Sequence, residues 1–156
     1  MDEDKKEIYD DIATAYCGLK TKMDDIAITR SALWTLLGDV TGQSVLDLAC
    51  GSGYYTRQFN EAGASKVVGV DISAPMIEAG RRIEAEHPLG ITYHVGDVAE
   101  YECVEEYDLV TAQYLLCYAP TKDILRRMAD TMYTSTVPGG RMVTITSTLD
   151  DDVECK

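Results

Sequence analysis

The sequence predicts a doubly wound α/β fold, in which a mostly parallel β-sheet carries helices on both faces. Two observations lead to this prediction. From residue 44 onward, short apolar runs alternate with longer segments of helical periodicity, and the apolar runs are continuous rather than interleaved with polar residues. Continuous apolar strands are typical of parallel sheets covered on both sides, and right-handed crossovers connect such strands through helices.

Two helices are predicted ahead of the first strand. Residues 5–17 place apolar side chains four positions apart, which is the spacing of one helical face. A second helix is predicted from about Asp24 to Leu37, because two acidic residues suit its N-terminus and Gly38 can end it.

The rest of the chain is predicted to supply five strands and three helices. The strands are apolar runs too short to be helices, such as "SVLDLA" and "KVVGVD". The helices have apolar residues at helical spacing, including Met128 and Met132 in the last one, and Ser73 and Pro75 suit a helix start. The predicted strands cover residues 44–49, 66–71, 91–95, 107–113 and 139–149, and the predicted helices cover 53–63, 73–87 and 121–136.

A length of 156 residues suits a single domain. Within it we expect an N-terminal helical cap over residues 1–38, an α/β core over 39–149 and a frayed acidic tail over 150–156. No apolar run approaches the roughly 18 residues of a membrane span. The N-terminus also lacks the apolar segment of a secretory signal, so we expect a cytoplasmic protein.

The net charge of −13 argues against a nucleic-acid partner. Lys and Arg number 14 against 27 Asp and Glu, and binding to a polyanion requires clustered cations. We therefore expect a small-molecule partner, with no nucleic acid and no membrane. Five cysteines without a CxxC pair, and two histidines seven residues apart, give no zinc-binding pattern, so no metal is expected.

The stretch "VLDLACGSGYYT" over residues 45–56 is the first candidate site. An apolar strand ends there in a turn that contains Gly51 and Gly53. In a doubly wound sheet, ligands bind beyond the carboxyl ends of the strands, and the helix that follows offers free N–H groups. Glycine permits a positive φ and a close approach of the backbone to a ligand. A tight strand-to-helix turn without a ligand would explain two glycines equally well.

Two acidic residues favour a nucleoside ligand over an empty turn. Asp71 ends the second core strand, 20 residues after Gly51, where a carboxylate can accept both hydroxyls of a ribose. Asp97 follows the third strand, where it could accept from an adenine amino group. Each could alone be a helix cap or a solvated loop residue, but acids at the ends of successive strands suit one extended nucleoside.

These segments together resemble the class I S-adenosylmethionine-dependent methyltransferases. "VLDLACGSG" resembles the first motif of that family, which usually has glycine in the place of Ala49, and "VVGVDISAPMIEAGR" resembles the second. "GDV", "YDLVTAQYLLCYA" and "VPGGRMV" resemble the later motifs, so the resemblance covers about residues 44–147. It implies a Rossmann-like methyltransferase fold and methyl transfer to nitrogen or oxygen of a small molecule. Within the family, the chain is similar to the toxoflavin-synthase-like N-methyltransferases.

The resemblance implies S-adenosyl-L-methionine as the cofactor and a role for each matching residue. The glycine turn would hold the methionine end, Asp71 the ribose hydroxyls and Asp97 the adenine amino group. Ile72 would lie against the adenine, as could Met76, for which a core position is a second interpretation. Gln113 would face the methionine moiety and the substrate. The implied cofactor-binding residues are Asp47, Ala49, Gly51, Gly53, Asp71, Ile72, Met76, Asp97, Val98 and Gln113.

A NAD-dependent dehydrogenase is the nearest alternative enzyme. A dinucleotide site usually has a third glycine, which lets the helix approach the strand and leaves room for a pyrophosphate. Here the run continues from Gly53 through Tyr54 and Tyr55 to Thr56, so the third glycine is absent and two rings crowd the turn. The sequence therefore favours the methyltransferase.

No catalytic base is predicted. Methyl transfer from a sulfonium requires alignment and exclusion of water, and a base only for a protonated acceptor. His94 falls within a predicted strand, so we interpret it as structural. Tyr9, Tyr16, Tyr114 and Tyr118 are candidate substrate contacts, since amphipathic rings suit an aromatic acceptor, although partly buried packing is an equal alternative.

The resemblance stops at the fifth strand, where the sheet of this family usually continues. The last predicted strand would then be an open edge, which readily pairs with another chain. We therefore expect a homo-oligomer or a strand-completing partner. A second interpretation is a module or truncated subunit that binds S-adenosylmethionine without turnover.

Overall fold

Five strands and four helices account for most of the backbone of the residues that the structure describes. The computed structural model of the chain describes residues 24–104 and 106–146, and the predicted helix over 5–17 and the acidic tail lie outside these residues. The elements, in chain order, are α1 (Asp24–Leu37), β1 (Ser44–Leu48), α2 (Tyr54–Glu61), β2 (Lys66–Asp71), α3 (Ala74–Glu86), β3 (Thr92–Val95), β4 (Tyr107–Gln113), a 3₁₀ turn (Leu116–Tyr118), α4 (Lys122–Thr134) and β5 (Thr136–Ile145).

The sheet has the strand order β3-β2-β1-β4-β5, and every pair of neighbours is parallel. The predicted fold class, a doubly wound sheet with crossover helices, is therefore confirmed. The chain moves outward from β1 through β2 to β3, and then crosses to the other side of β1 to form β4 and β5. The order of strands thus reverses at β1, and the loops that follow β1 and β4 flank the position where such sheets bind ligands.

Apolar side chains fill both faces of the sheet. Leu33 of α1, Phe59 of α2 and Ile77 of α3 belong to one buried cluster. Leu46 of β1 and Met128 of α4 belong to a second cluster. Successive strand residues alternate between the two faces, which is why the strands read as continuous apolar runs.

The start of β5 differs from the prediction. β5 begins at Thr136, whereas the sequence predicted residues 139–149, and the predicted end lies outside the described residues. Tyr107 pairs with Thr136 and Leu109 pairs with Arg141, so residues 137–140 bulge opposite a single residue of β4. The segment "VPGG", whose proline and glycines are typical of a turn, forms this bulge, where a proline can lie without a missing ladder hydrogen bond.

The partly buried carboxylate of Glu84 joins α3 both to α2 and to the loop before β3. Glu84 Oε2 accepts from Arg57 of α2 at 2.7 Å. Glu84 Oε1 accepts from the backbone N–H groups of Leu89 at 2.6 Å, Gly90 at 2.7 Å and Ile91 at 3.2 Å. Burial raises the pKa of the Glu84 carboxyl, but these N–H groups and the guanidinium lower it by more, so the pKa lies below its ordinary value.

We expect Glu84→Gln to lower the free energy of unfolding by about 1–2 kcal/mol at pH 7, because an amide oxygen accepts more weakly than a carboxylate. A carboxylate with a lowered folded pKa stabilises the protein above its unfolded pKa, and this stability is lost as the pH falls through the folded value. The difference between the two proteins in urea unfolding should therefore begin to shrink as the pH falls below the unfolded value of about 4.3, and it should disappear once the pH is below the lower folded value. Glu86→Gln, at an exposed position of α3, is the matched control and should have no effect at either pH.

Membrane spans and metal clusters are both absent from residues 24–104 and 106–146. None of the helices there has the length and apolar character needed to cross a bilayer. No three His, Cys, Asp or Glu side chains of these residues come together as metal ligands. The described cysteines, Cys50, Cys103 and Cys117, are free thiols.

Candidate functional site

A cleft of about 280 Å³ opens at the carboxyl edge of the sheet. The segments that follow β1, β2, β3 and β4 form it, and α4 contributes one wall. Its volume is near the lower end of the range for small-molecule sites. The lining residues are Ala49, Gly51, Asp71, Ile72, Ser73, Met76, Asp97, Val98, Gln113, Tyr114, Leu115, Tyr118 and Met128.

Eight of the ten predicted cofactor residues line this cleft. They come from the ends of four strands that are distant in sequence, and the parallel sheet brings them to one edge. Asp47 and Gly53 are the two that do not line it. Asp47 lies in β1 behind the turn, and Gly53 lies in the turn itself; the contacts of both are described below.

Two of the predicted substrate contacts, Tyr114 and Tyr118, also line the cleft. Tyr9 and Tyr16 lie outside the described residues. His94 lies in β3, as predicted, but its side chain is exposed and does not line the cleft. Three further residues line the cleft without having been predicted from the sequence, namely Ser73, Leu115 and Met128. The spacing of Met128 indicated a core position, and its side chain serves both the core and the cleft wall.

The turn after β1 requires positive φ angles. Ala49 has φ 58°, Gly51 has φ 56° and Gly53 has φ 89°. A residue with a Cβ is strained in this region, which explains why glycine is usual at the position of Ala49 in the family motif. A Cβ added at Gly51 would meet no atom within 4 Å, so its bare backbone faces open space in the cleft. Gly51 can therefore lie against a ligand.

Asp71 ties this turn to the start of α3. Its Oδ2 accepts from the backbone N–H of Gly51 at 2.7 Å, and its Oδ1 accepts from the N–H of Ser73 at 2.9 Å. Ser73 in turn caps α3 through its hydroxyl, which accepts from the N–H of Met76 at 3.4 Å. A carboxylate oxygen has two lone pairs and can accept more than one hydrogen bond.

Asp97 lies in a tight turn after β3. Its Oδ1 accepts from the N–H of Ala99 at 2.9 Å, and its carbonyl oxygen accepts from the N–H of Glu100 at 2.9 Å. The N–H of Gly96 donates to the carbonyl of Asp71 at 2.9 Å, which joins this turn to β2. Among the described residues, Oδ2 of Asp97 has no hydrogen-bond partner, so it is available to a donor in the cleft.

Asp47 supports the turn from behind. Its side chain is 1% exposed, and Oδ2 accepts from the Thr56 hydroxyl at 2.6 Å. This bond joins β1 to the first turn of α2. Thr56, which stands where a dinucleotide site would have its third glycine, therefore anchors α2 to β1 through Asp47. Asp47 itself lies beneath the cleft and does not line it.

Tyr93 of β3 fills the space beneath three glycines. A Cβ at Gly53 would overlap its hydroxyl oxygen and lie 2.8 Å from Cζ. A Cβ at Gly69 would lie 3.0 Å from its Cδ1, and one at Gly80 would lie 3.3 Å from its Cε1. The hydroxyl is buried without a hydrogen-bond partner, and burial raises the pKa of Tyr93. Gly53 is thus required for packing on Tyr93. The glycines within β2 and α3 are the sequence signals of such a close contact.

The end of β4 completes the cleft. The Gln113 side-chain amide donates to the Thr111 hydroxyl, which fixes the orientation of a side chain that lines the cleft. Tyr114 has φ 59° and its N–H donates to the carbonyl of Ile145 at 2.6 Å. Non-glycine residues at positive φ concentrate at functional sites. Ala49 and Tyr114 are the two such residues among those described, and both line the cleft.

Two buried groups near the cleft are neutral at physiological pH. Burial, with the neighbouring Tyr54, raises the pKa of Tyr55 to about 12. Burial and the nearby Asp47 raise the pKa of the Cys50 thiol. Neither group can accept a proton at neutral pH, so these two side chains do not supply a general base.

Comparison with known proteins identifies relatives over the same region. The family model described as "Methyltransferase domain" matches residues 45–140, more than half of the chain. The chain is 35% identical over 99 residues to dTDP-4-amino-2,3,4,6-tetradeoxy-D-glucose N,N-dimethyltransferase of Saccharopolyspora spinosa, covering 63% of this chain and 38% of that protein. It is 34% identical over 102 residues to ribosomal protein L11 methyltransferase of Burkholderia orbicola, covering 65% of this chain and 31% of that protein. The chain thus spans about a third of the length of these curated relatives.

Solved structures share the fold. An S-adenosylmethionine-dependent methyltransferase of Mesorhizobium loti is 32% identical with a TM-score of 0.65, over 74% of this chain and 51% of that one. DhpI in a complex with SAH is 25% identical with a TM-score of 0.75, over 93% of this chain and 69% of that one.

Proposed function

The chain belongs to the class I S-adenosylmethionine-dependent methyltransferases, and we propose that it transfers a methyl group from S-adenosyl-L-methionine to nitrogen or oxygen of a small-molecule acceptor. The observation that carries this proposal is the shared cleft. Asp71, Asp97 and the bare backbone of Gly51 lie along it, at the ends of β2, β3 and β1. An adenosine with an amino-acid extension needs this set of partners: acceptors for the ribose, an acceptor for the adenine amino group and an open backbone.

The residues present fit the cofactor in the following roles. Asp71 would bind the ribose hydroxyls, with its carboxylate held in place by the N–H groups of Gly51 and Ser73. Asp97 would accept from the adenine amino group. Ile72, Met76 and Val98 would pack on the adenine ring. The backbone of Ala49 and Gly51, with Gln113, would hold the methionine end, while Asp47 would stabilise that turn from behind and Gly53 would keep it packed on Tyr93.

The charge of the cleft supports a cationic ligand. Two carboxylates, Asp71 and Asp97, are among its described lining residues, and these residues include neither lysine nor arginine. S-adenosylmethionine has a sulfonium and an ammonium against one carboxylate, so its net charge is favourable in such a cleft. A dinucleotide with a pyrophosphate would be repelled by the same carboxylates.

Catalysis by this chain is proposed to rest on orientation. S-adenosylmethionine, when bound, supplies a methyl group on a sulfonium whose leaving group is a neutral thioether. The cleft holds the reactants in line and excludes water, which is where positioning lowers a barrier. Gln113, Tyr114 and Tyr118 would orient the acceptor at the open end. The two carboxylates of the lining are assigned to the cofactor in this proposal, so the proposed acceptor is one that arrives as a nucleophile, such as a neutral amine.

The cleft and one relative support the proposed acceptor class. The rings of Tyr114 and Tyr118 offer amphipathic surface for a small, flat molecule. The Saccharopolyspora spinosa relative is named as an N,N-dimethyltransferase of an amino sugar nucleotide, which supports nitrogen as the acceptor atom. We propose the small-molecule acceptor together with three further properties of the chain. These are a cytoplasmic location, a division at residue 38 between an N-terminal helical cap and the α/β core, and a likeness to the toxoflavin-synthase-like enzymes.

Calorimetry followed by a methylation assay tests this function. We expect S-adenosylmethionine to bind, and S-[methyl-³H]adenosylmethionine to label one or more members of a panel of small amines and phenols. If S-adenosylmethionine binds but no acceptor is labelled, the result would favour the alternative, a module that binds the cofactor without turnover. Absence of binding at millimolar cofactor would contradict the proposal itself.

The outer edge of β5 is also part of this proposal. β4 pairs with one side of β5, and no strand among the described residues pairs with the other. An open edge is a template for a further strand. We propose that another copy of the chain or a strand-completing partner occupies it, and light scattering that gives the mass of a stable monomer would contradict this assignment.

A further inference from the structure

α4 holds the turn after β3 at two consecutive backbone carbonyls. The Thr131 hydroxyl donates to the carbonyl of Val98 at 2.8 Å. The Arg127 Nε donates to the carbonyl of Ala99 at 3.1 Å. Arg127 and Thr131 are four residues apart, so they extend from one face of the helix. We refer to this pair as the α4 clamp.

The two halves of the α4 clamp differ in strength. Thr131 is 8% exposed and Val98 is 3% exposed, so their hydrogen bond is shielded from water. A buried carbonyl that loses its only partner is costly, which makes Thr131 difficult to replace. Arg127 also pairs with Glu100 at 3.3 Å, but both side chains are well exposed, and such ion pairs contribute little. Thr131 is therefore the main member of the clamp.

The clamped carbonyls belong to the turn that orients Asp97. Oδ1 of Asp97 accepts from the N–H of Ala99, so a shift of Ala99 displaces the carboxylate directly. Val98 lies between them and lines the cleft beside Asp97. Met128, three residues before Thr131 on α4, lines the same cleft. The helix thus fixes one wall of the cleft and the position of the Asp97 carboxylate together.

We propose that Thr131, assisted by Arg127, is a positioning residue that aims Asp97 at the adenine amino group and so sets the preference of the cleft for adenosine over 6-oxopurine nucleosides. This inference rests on the proposed function, because it takes the adenosine of S-adenosylmethionine as the ligand. A displaced Asp97 could still leave the ribose and methionine contacts intact. The loss should therefore appear in base discrimination rather than in binding as a whole.

Calorimetry with S-adenosylhomocysteine and S-inosylhomocysteine, in which an oxo group replaces the amino group, tests the inference. We expect the native protein to prefer S-adenosylhomocysteine, and Thr131→Val to reduce that preference about five- to tenfold, as expected for one misaligned hydrogen bond to a charged group. Thr131→Ser keeps the hydroxyl and should restore the preference. Arg127→Met, at an exposed position, should reduce the preference for S-adenosylhomocysteine by a smaller factor. This variant still tests the inference if Thr131→Val fails to fold.

Thr134→Val is the matched control on the same helix, because the Thr134 hydroxyl donates within α4, to the carbonyl of Asp130 at 2.9 Å and to that of Thr131 at 3.4 Å. It should leave the preference unchanged. If Thr131→Val weakens both ligands by the same factor, or changes neither, the inference is overturned. If the native protein binds neither ligand, the proposed function fails first, and the two failures are therefore distinguishable.

Discussion

Replacing Asp71 by asparagine should weaken binding of S-adenosylhomocysteine by about 2–3 kcal/mol, or roughly 30- to 150-fold, the loss expected for hydrogen bonds to a charged group. Both oxygens of Asp71 accept from backbone N–H groups, one from Gly51 and one from Ser73. Either orientation of an asparagine amide places its NH₂ group against one of these donors. The substitution therefore disturbs the turn as well as the ribose contact, and titration calorimetry measures the combined effect.

Asp108→Asn is the matched control for this prediction. Oδ2 of Asp108 accepts from the N–H of Ser44 at 2.8 Å and from its hydroxyl at 2.7 Å, so it also joins two strands. It lies at the start of β4, at the opposite edge of the sheet from the cleft. Asp108→Asn should leave the dissociation constant unchanged. If the dissociation constant of Asp71→Asn for S-adenosylhomocysteine stays within threefold of the native value, Asp71 does not bind the ligand and the prediction is wrong.

Gly53→Ala should lower the free energy of unfolding by about 3 kcal/mol, from overpacking and from a Cβ at positive φ. The added methyl group would overlap the hydroxyl oxygen of Tyr93, whose ring the sheet holds in place. Tyr93→Phe alone should be neutral or stabilise the protein by about 1 kcal/mol, because the buried hydroxyl has no partner. Urea unfolding of each variant measures both effects.

The double substitution Gly53→Ala with Tyr93→Phe separates steric overlap from backbone strain. Removing the hydroxyl relieves part of the overlap but leaves Cζ 2.8 Å from the new methyl group and φ at 89°. We expect a coupling of about 1 kcal/mol in favour of the double variant. Strictly additive effects would mean that the methyl group and the tyrosine do not meet, which would contradict the described packing of the turn.

The fold could be predicted because each strand is encoded locally. β2 and β4 begin and end at the predicted residues, since a buried apolar run has clear limits. The start of β5 could not be predicted in this way. The bulge at residues 137–140 depends on pairing with β4, and Pro138 with two glycines predicts a turn when the partner strand is unknown. The local sequence pattern was therefore enough to locate the strands, whereas the start of β5 depends on its pairing with β4.

The residues of the candidate site that could be predicted are those that lie at or just after the end of a strand. Gly51, Asp71 and Asp97 follow three apolar runs, and parallel pairing brings the ends of those runs to one edge. The supporting contacts were not predictable. Thr131 meets the carbonyl of Val98 across 33 residues of sequence, and a threonine on a helix carries no sign of such a partner. Long-range contacts of this kind depend on how α4 packs on the sheet.

A crystal structure of the protein with S-adenosylhomocysteine tests the central claim most directly. The account predicts an adenosine across the carboxyl ends of β1, β2 and β3, with both ribose hydroxyls within 3.2 Å of the Asp71 carboxylate, as hydrogen bonds require. The adenine amino group should face Asp97, and the amino-acid end should rest on the backbone of Gly51. A nucleoside bound elsewhere, or one whose ribose faces away from Asp71, would contradict the account.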